Sequence, residues 1–308
     1  MNLKNTLRAP VAAKKTHLHE IHGHQRHDDY FWLRDDERKA PEILAYLNEE
    51  NAFTQSVMAP LAPLQQQLYD EMVARQEPAL ESVPYFKNGF WYLSRFDEGK
   101  DYNLYTRRRG DMQAPEEILL DCNERAKGHS YYDLGEITLS GNAMLMAYSE
   151  DTVSRRQYTL RFKNLATGED FPESIEDTAG AVWANDNETV FYVKQHPETL
   201  LPYQVYRHTL GSDVKDDQLV YQEDDDSFYL HLYKTRSEKY LVLGMTSTTT
   251  CDCLLLDADK PSGEFTAFLP RERGHEYTVD HFKDKFYILT NKAGKNFSLM
   301  TSGEKTQQ

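Results

Sequence analysis

The chain has 308 residues, 39% of them hydrophobic, with only 15 glycines and 12 prolines, so it is neither disordered nor fibrous and is long enough for one large domain or two ordinary ones. Fifty acidic residues against 35 basic ones give a formal charge of −15, a field that repels phosphate backbones and anionic lipid and argues against a nucleic-acid partner. The longest apolar run, Ala143–Tyr148, is far short of the roughly 18 residues of a membrane span, so no membrane partner is expected. The opening Met1–Lys15 lacks the continuous apolar stretch of a secretory signal, and three cysteines suit reduced thiols; a cytoplasmic location is expected.

In chain order, His17, His19, His22, His24 and His27 crowd the amino-terminal stretch. Their H-x-H spacing puts each pair on one side of an extended strand, which favours surface histidines over a four-ligand metal site, and no metal is expected. From Pro41 to Met58 apolar residues follow a 3.6-residue period behind a proline suited to a first helical turn, which predicts a helix. Leu61, Leu64, Leu68 and Met72 predict a second helix, and a hairpin of the two is the expected arrangement. Beyond Val83 the vocabulary changes to short Tyr, Phe, Val, Thr and Leu runs between polar turns, the mark of strands. Residues 1–80 therefore read as an extended segment with helices, and 81–308 as a β-domain.

The β-region repeats. Trp91–Ser94, Leu145–Tyr148, Val190–Val193, Leu241–Gly244 and Phe286–Leu289 recur at a period of about 45 to 50 residues. Each has a partner run after a polar loop: Tyr102–Tyr105, Tyr158–Phe162, Gln204–Arg207, Cys253–Leu256 and Phe297–Met300. Shorter outer runs follow at Ile118–Leu120, Leu219–Tyr221 and Phe265–Leu269, with a poor match near Phe171, and leading runs such as Ile137–Leu139 and Val182–Trp183 precede tight turns. Four antiparallel strands per unit at this period are the pattern of a β-propeller blade, a twisted sheet whose faces only its neighbours can bury. The fold class expected is mainly β: a partial propeller of four complete blades from Val83 to Leu269 and a truncated fifth beginning near Tyr277, preceded by the helical segment.

The residues also carry a resemblance. Asp28-Asp29-Tyr30-Phe31-Trp32-Leu33-Arg34-Asp35 before paired helices resembles the amino-terminal segment of the prolyl oligopeptidase family. Ser149-Glu150-Asp151 with Ser154-Arg155-Arg156-Gln157-Tyr158, Val182-Trp183-Ala184-Asn185-Asp186, and His196-Pro197 with Thr199-Leu200-Leu201-Pro202-Tyr203-Gln204-Val205 are similar to its oligopeptidase B branch. His275-Glu276-Tyr277, Asp280-His281 and Gly294-Lys295-Asn296-Phe297 extend the likeness almost to the end. The resemblance implies helices, a seven-bladed propeller that filters substrates by size, and then an α/β-hydrolase domain cleaving short peptides after Arg or Lys. It also implies that Arg155 and Arg156, with Glu150 and Asp151, lie on a loop toward the hydrolase, where charges can pair across the interface.

The chemistry of such a hydrolase needs a serine on a G-x-S-x-G elbow, and no such string occurs. Ser140 beside Gly141 falls in a predicted hairpin turn without the preceding glycine, so no catalytic residue is assigned. Cys251 and Cys253 read as small strand residues sharing one face, and Glu223-Asp224-Asp225-Asp226 as a solvated connection. Phosphate-binding glycine loops are absent and no cofactor is expected. Two readings follow. In the first, this is the gating part of an oligopeptidase B-like serine peptidase, a truncated product or an excised piece, inactive alone, whose partners are the hydrolase domain and short basic peptides. In the second, it is a non-catalytic propeller module that binds proteins on an open face; on either reading the unfinished ring leaves apolar faces that favour association.

Overall fold

The computed structural model describes residues 8–304, and the chain divides into two compact units between Glu77 and Pro78. In the first unit β1 (His17–Ile21) and β2 (His24–Asp28) form a hairpin. Its two-residue turn, His22 and Gly23, has positive φ at both positions, the geometry that matches strand twist. His17 stacks on Phe31 with ring centroids 4.2 Å apart and His19 meets the same ring edge-on at 4.7 Å, so these histidines pack around an aromatic residue. Helix α1 spans Pro41–Met58, with Pro41 in its first turn; Asp35 accepts from the N–H groups of Lys39 and Ala40 just before it. Helix α2 (Ala62–Val73) follows after a single 3-10 turn, Ala59–Leu61. The backbone stays in the right-handed helical region at Met58, Ala59, Leu61 and Ala62, so no loop reverses the chain and the expected hairpin is replaced by consecutive helices. Neither helix buries a residue: Leu44, Leu47, Leu64, Leu68 and Met72 form an open apolar stripe.

The second unit is built of antiparallel sheets, none of which closes on itself. The first contains β3 (Leu80–Glu81), β4 (Tyr85–Lys87), β5 (Phe90–Phe96), β6 (Leu104–Arg109) and β7 (Glu116–Asp121), and a one-turn helix α3 (Cys122–Arg125) leads out of it. A seven-stranded sheet follows: β8 (Asp133–Leu139), β9 (Leu145–Asp151), β10 (Tyr158–Asn164), β11 (Asp170–Trp183), β12 (Thr189–Gln195), β13 (Pro202–Thr209) and β14 (Gln218–Gln222). Next come a four-stranded sheet, β15 (Tyr229–Lys234), β16 (Tyr240–Thr246), β17 (Cys251–Asp257) and β18 (Thr266–Ala267), and a three-stranded one, β19 (Tyr277–Phe282), β20 (Lys285–Thr290) and β21 (Ser298–Gly303).

The seven-stranded sheet explains the weak repeat near Phe171. Strand β11 pairs with β10 from Asp170 to Thr178 and with β12 from Thr178 to Trp183, so one bent strand serves as the outer run of one unit and the leading run of the next. The bend is set by Asp177 and Gly180, both at positive φ. Elsewhere two runs of this kind are separated by a connection; here no turn intervenes, and the periodicity blurs.

Cores lie between successive sheets and, around Phe162, Ile175, Trp183 and Tyr192, between the two halves of the bent seven-stranded sheet. Phe90, Tyr92, Leu120, Met146 and Tyr148 pack where the first sheet meets the seven-stranded one, and Phe191, Val205, Leu230, Leu241 and Leu243 where the latter meets the four-stranded sheet. Val242, Phe268, Tyr277 and Phe286 join the last two sheets. The hairpin turns at one end are linked in series: Asn88 Nδ2 donates to the Gly141 carbonyl (3.0 Å), the Asn142 N–H to Asn187 Oδ1 (2.8 Å) and Asn185 Nδ2 to the Glu238 carbonyl (3.0 Å). The Ser237 N–H then donates to the His281 carbonyl, and Lys87 pairs with Glu238 at 2.7 Å. This is the turn end of the unit. The opposite, loop end carries the 152–157 and 196–201 connections and is where the chain enters, because Leu80–Glu81 pairs with Arg95–Phe96 at the far end of β5.

Candidate interdomain site

The loop 152–157 joins β9 to β10 at the loop end. Its anchor is Asp151, 1% exposed, whose Oδ1 accepts from the N–H groups of Val153 (2.8 Å) and Ser154 (3.1 Å) and whose Oδ2 accepts from Arg155 (2.9 Å) and Arg156 (2.7 Å). One carboxylate thus satisfies four backbone donors of a loop that turns through two left-handed residues, Ser154 and Arg156. Glu150, also buried, receives Arg125 through Nη2 (2.6 Å) and Nε (3.1 Å), and Arg161 through Nε. Arg125 reaches on to Asp170 at 3.0 Å and lies over the Tyr148 ring, so two carboxylates and two guanidiniums neutralise one another. Burial opposes the Arg125 charge, but its partners prevail and raise its pKa. Arg155 and Arg156 are exposed, and among the described residues neither guanidinium has an ion-pair partner. Of the four candidates, then, Glu150 and Asp151 hold the framework and the two arginines face outward. The loop is braced from the neighbouring strand, where Gln195 Nε2 donates to the Arg156 carbonyl at 2.7 Å.

Beside this loop lies a recess of about 330 Å³ lined in part by Glu136, Ser149, Arg156, Tyr158, Thr178 and Gln195. The ladder between β8 and β9 slips between Leu134 and Ile137, and the Glu136 N–H donates to Ser149 Oγ at 3.0 Å. Its carboxylate is solvent-accessible, accepts from the Ala181 N–H at 3.2 Å and has no cationic partner among the described residues. The surrounding protein desolvates it and raises its pKa.

A second buried network corrects the reading of one residue of the acidic run, whose other members Asp224, Asp225 and Asp226 are exposed. Glu223 is not solvated: Arg271 Nη2 reaches its Oε2 at 2.5 Å, Tyr221 donates its hydroxyl at 3.0 Å, and Arg271 Nε reaches Asp252 at 3.1 Å. Burial alone would raise the Glu223 pKa, but these donors outweigh it and lower it. His208, fully buried, pairs through Nδ1 with Asp217 at 2.7 Å while Tyr192 donates to the other Asp217 oxygen. None of these pairs could be read from spacing, since Glu223 and Arg271 stand 48 residues apart.

Ser140 occupies the turn between β8 and β9, its hydroxyl bonded to Asn142 Oδ1 at 2.7 Å, with neither imidazole nor carboxylate beside it. Burial raises the Cys122 thiol to about 11 and the Cys253 thiol to about 12, which suits buried side chains rather than nucleophiles. Among the described residues no group of three His, Cys, Asp or Glu side chains could hold a metal, and no helix is long and apolar enough to cross a membrane.

Comparison with known proteins agrees with this architecture. The chain is 44% identical over 95% of its length to "Dipeptidyl aminopeptidase BI" of Pseudoxanthomonas mexicana and 34% identical over 96% to "Protease 2" of Moraxella lacunata, spanning 43% of each. Among solved structures, oligopeptidase B from Leishmania major superposes with a TM-score of 0.90 at 30% identity, and oligopeptidase B from Trypanosoma brucei, in a closed form with covalently bound antipain, with 0.88 at 28%. Both superpositions cover 98% of this chain and 45% of the other, so the 308 residues span less than half the length of the relatives they match. Residues 10–308 match the family model described as "Prolyl oligopeptidase, N-terminal beta-propeller domain", and the chain belongs to that family as the propeller part of a peptidase like oligopeptidase B.

Proposed function

We propose that this chain screens and admits substrate for an α/β-hydrolase domain that performs the chemistry, and that alone it hydrolyses no peptide bond. The observation that carries the reading is the contrast between the two ends of the second unit. At the turn end the hairpins are stitched together by hydrogen bonds and by Lys87–Glu238; at the loop end the chain enters, and the guanidiniums of Arg155 and Arg156 have no ion-pair partner among the described residues. In this reading the loop end meets the hydrolase domain, and Arg155 and Arg156 pair with its acidic groups, tuning opening and closing, while Glu150 and Asp151 keep their loop in place. The unit boundary near residue 80, the treatment of the sheets as four blades and three strands of a fifth with β11 shared by two of them, and a cytoplasmic site of action belong to the same proposal.

Two specificities compete, endopeptidase cleavage of short peptides after Arg or Lys and the dipeptidyl aminopeptidase activity that the name of one relative suggests. The purified chain should leave a short arginyl chromogenic peptide intact, and adding a separately produced hydrolase domain from an oligopeptidase B relative should restore turnover. Comparing amino-blocked with free-amine substrates then separates the two. Turnover by the chain alone that a serine-reactive inhibitor stops would refute the proposal. Failure of every hydrolase domain to bind, with capture of unrelated proteins instead, would favour the interaction module.

A further inference from the structure

We propose that the recess beside Glu136 binds a cationic group of a peptide, either an arginine guanidinium or an amino-terminal ammonium. It is built for an occupant in three respects. First, the Glu136 carboxylate lines it, uses one oxygen for the Ala181 N–H, and has no ion-pair partner among the described residues; Arg156 lines the same recess from the 152–157 loop but does not come within ion-pair distance of Glu136. Elsewhere in this unit the more deeply buried carboxylates are fully partnered: Glu150, Glu223 and Asp252 hold a guanidinium, Asp151 takes four backbone N–H groups and Asp217 takes Tyr192 and His208, whereas the more exposed Glu136 has a single donor. Secondly, two glycines let the walls of the recess close up to their places. A Cβ at Gly135 would stand 2.5 Å from Ser149 Oγ and 2.9 Å from the Tyr158 ring, and one at Gly180 would stand 3.1 Å from Glu136 Oε2, on a backbone at φ +122° that side chains rarely adopt. Thirdly, the wall supplies an aromatic ring, Tyr158, held by its hydroxyl on Asp133, against which a cation can rest. At about 330 Å³ the recess suits a side-chain head group rather than a folded partner. The desolvated carboxylate gains most from a ligand that brings the missing charge, since a charge-assisted hydrogen bond is stronger than a neutral one.

The inference deepens the proposed function by naming a substrate feature recognised at the loop end, and it rests on that reading for its biological meaning. Its test does not. The full chain, uniformly labelled with 15N, is titrated with N-acetyl-arginine amide, with its neutral isostere N-acetyl-citrulline amide, and with glycyl-glycine amide in free and N-acetylated forms, while the amides of Gly135, Glu136, Gly180 and Ala181 are followed. The expected result is saturable shifts at these amides with at least one cationic ligand, at least fivefold weaker binding of its neutral counterpart, and a similar loss in Glu136→Gln. Which cationic ligand binds identifies the source. The glutamine keeps an acceptor for the Ala181 N–H, and the salt dependence of wild-type binding is a second readout should that variant fold poorly. Absence of saturable shifts, equal binding of neutral ligands, or binding unaffected by Glu136→Gln and by salt would overturn the proposal. No hydrolase domain is present in this assay, so its failure leaves the complementation result standing, and the converse also holds.

Discussion

The seven-stranded sheet and the three-stranded sheet are made of similar strands, yet they differ in what covers them. In β12 all residues but Lys194 are buried, and Phe191 lies in a core shared with the next sheet; in β21, Leu299 is 69% exposed and Met300 half-exposed. The same Tyr, Phe and Leu vocabulary becomes core in one place and surface in the other because a blade has no interior of its own. The difference sets the order of expected effects. Phe191→Ala should cost about 3–5 kcal/mol in chemical denaturation, whereas Leu299→Ala should change stability by under about 0.5 kcal/mol. Equal losses would mean that β21 is covered in solution.

The networks between sheets give the next effect. Arg271→Ala leaves the buried Glu223 without its cation, and breaking such a pair costs about 3 kcal/mol, less here because the arginine is one-third exposed. The loss should depend on pH. The folded-state pKa of Glu223 lies below its unfolded value, so its contribution is present above pH of about 4.5 and disappears as the pH falls through the folded value. Denaturation of wild type and Arg271→Ala should therefore converge in acid, and a difference that stays constant as the pH falls would show that packing on Phe228, over which Arg271 lies, is what was lost.

What could be read in advance follows from how local each signal is. Helix α1 was legible to the residue, because Pro41 and the apolar period lie within one segment. The leading and partner runs were legible because each is a short local run of strand-forming residues bounded by polar turns. Strand β11 was not, since a strand shared by two units contains no turn to mark where one ends. Of the candidate residues, the sequence placed Arg155 and Arg156 on a loop but could not separate them from Glu150 and Asp151, whose partners Arg125, Arg161 and the loop N–H groups become visible only in three dimensions. The Glu136 recess was missed because it depends on a slipped ladder at Gly135; the adjacent pair Gly135-Glu136 inside a strand run was the one available sign.

Two smaller effects sharpen the contrast between covered and uncovered surfaces. The uncovered edge and face of β21 should make the chain associate as its concentration rises, and Leu299→Lys should reduce that association in light scattering. Unchanged association would place the contact elsewhere, the open stripe of α1 and α2 being the next surface to alter. The Glu136 carboxyl titrates above its unfolded value, so its charged form is disfavoured by folding and penalises stability once the pH exceeds both values. Glu136→Gln should then melt slightly higher than wild type at pH 7, by no more than about 2 °C, and equally at pH 3.

The central claim, that the loop end receives the catalytic domain, is tested most directly by hydrogen exchange of the full chain with and without a bound hydrolase domain from an oligopeptidase B relative. Protection of the 152–157 amides, with the turns at 140–144 and 184–188 unchanged, is the result expected. Protection confined to those turns, or none at the loop end of a demonstrated complex, would contradict it.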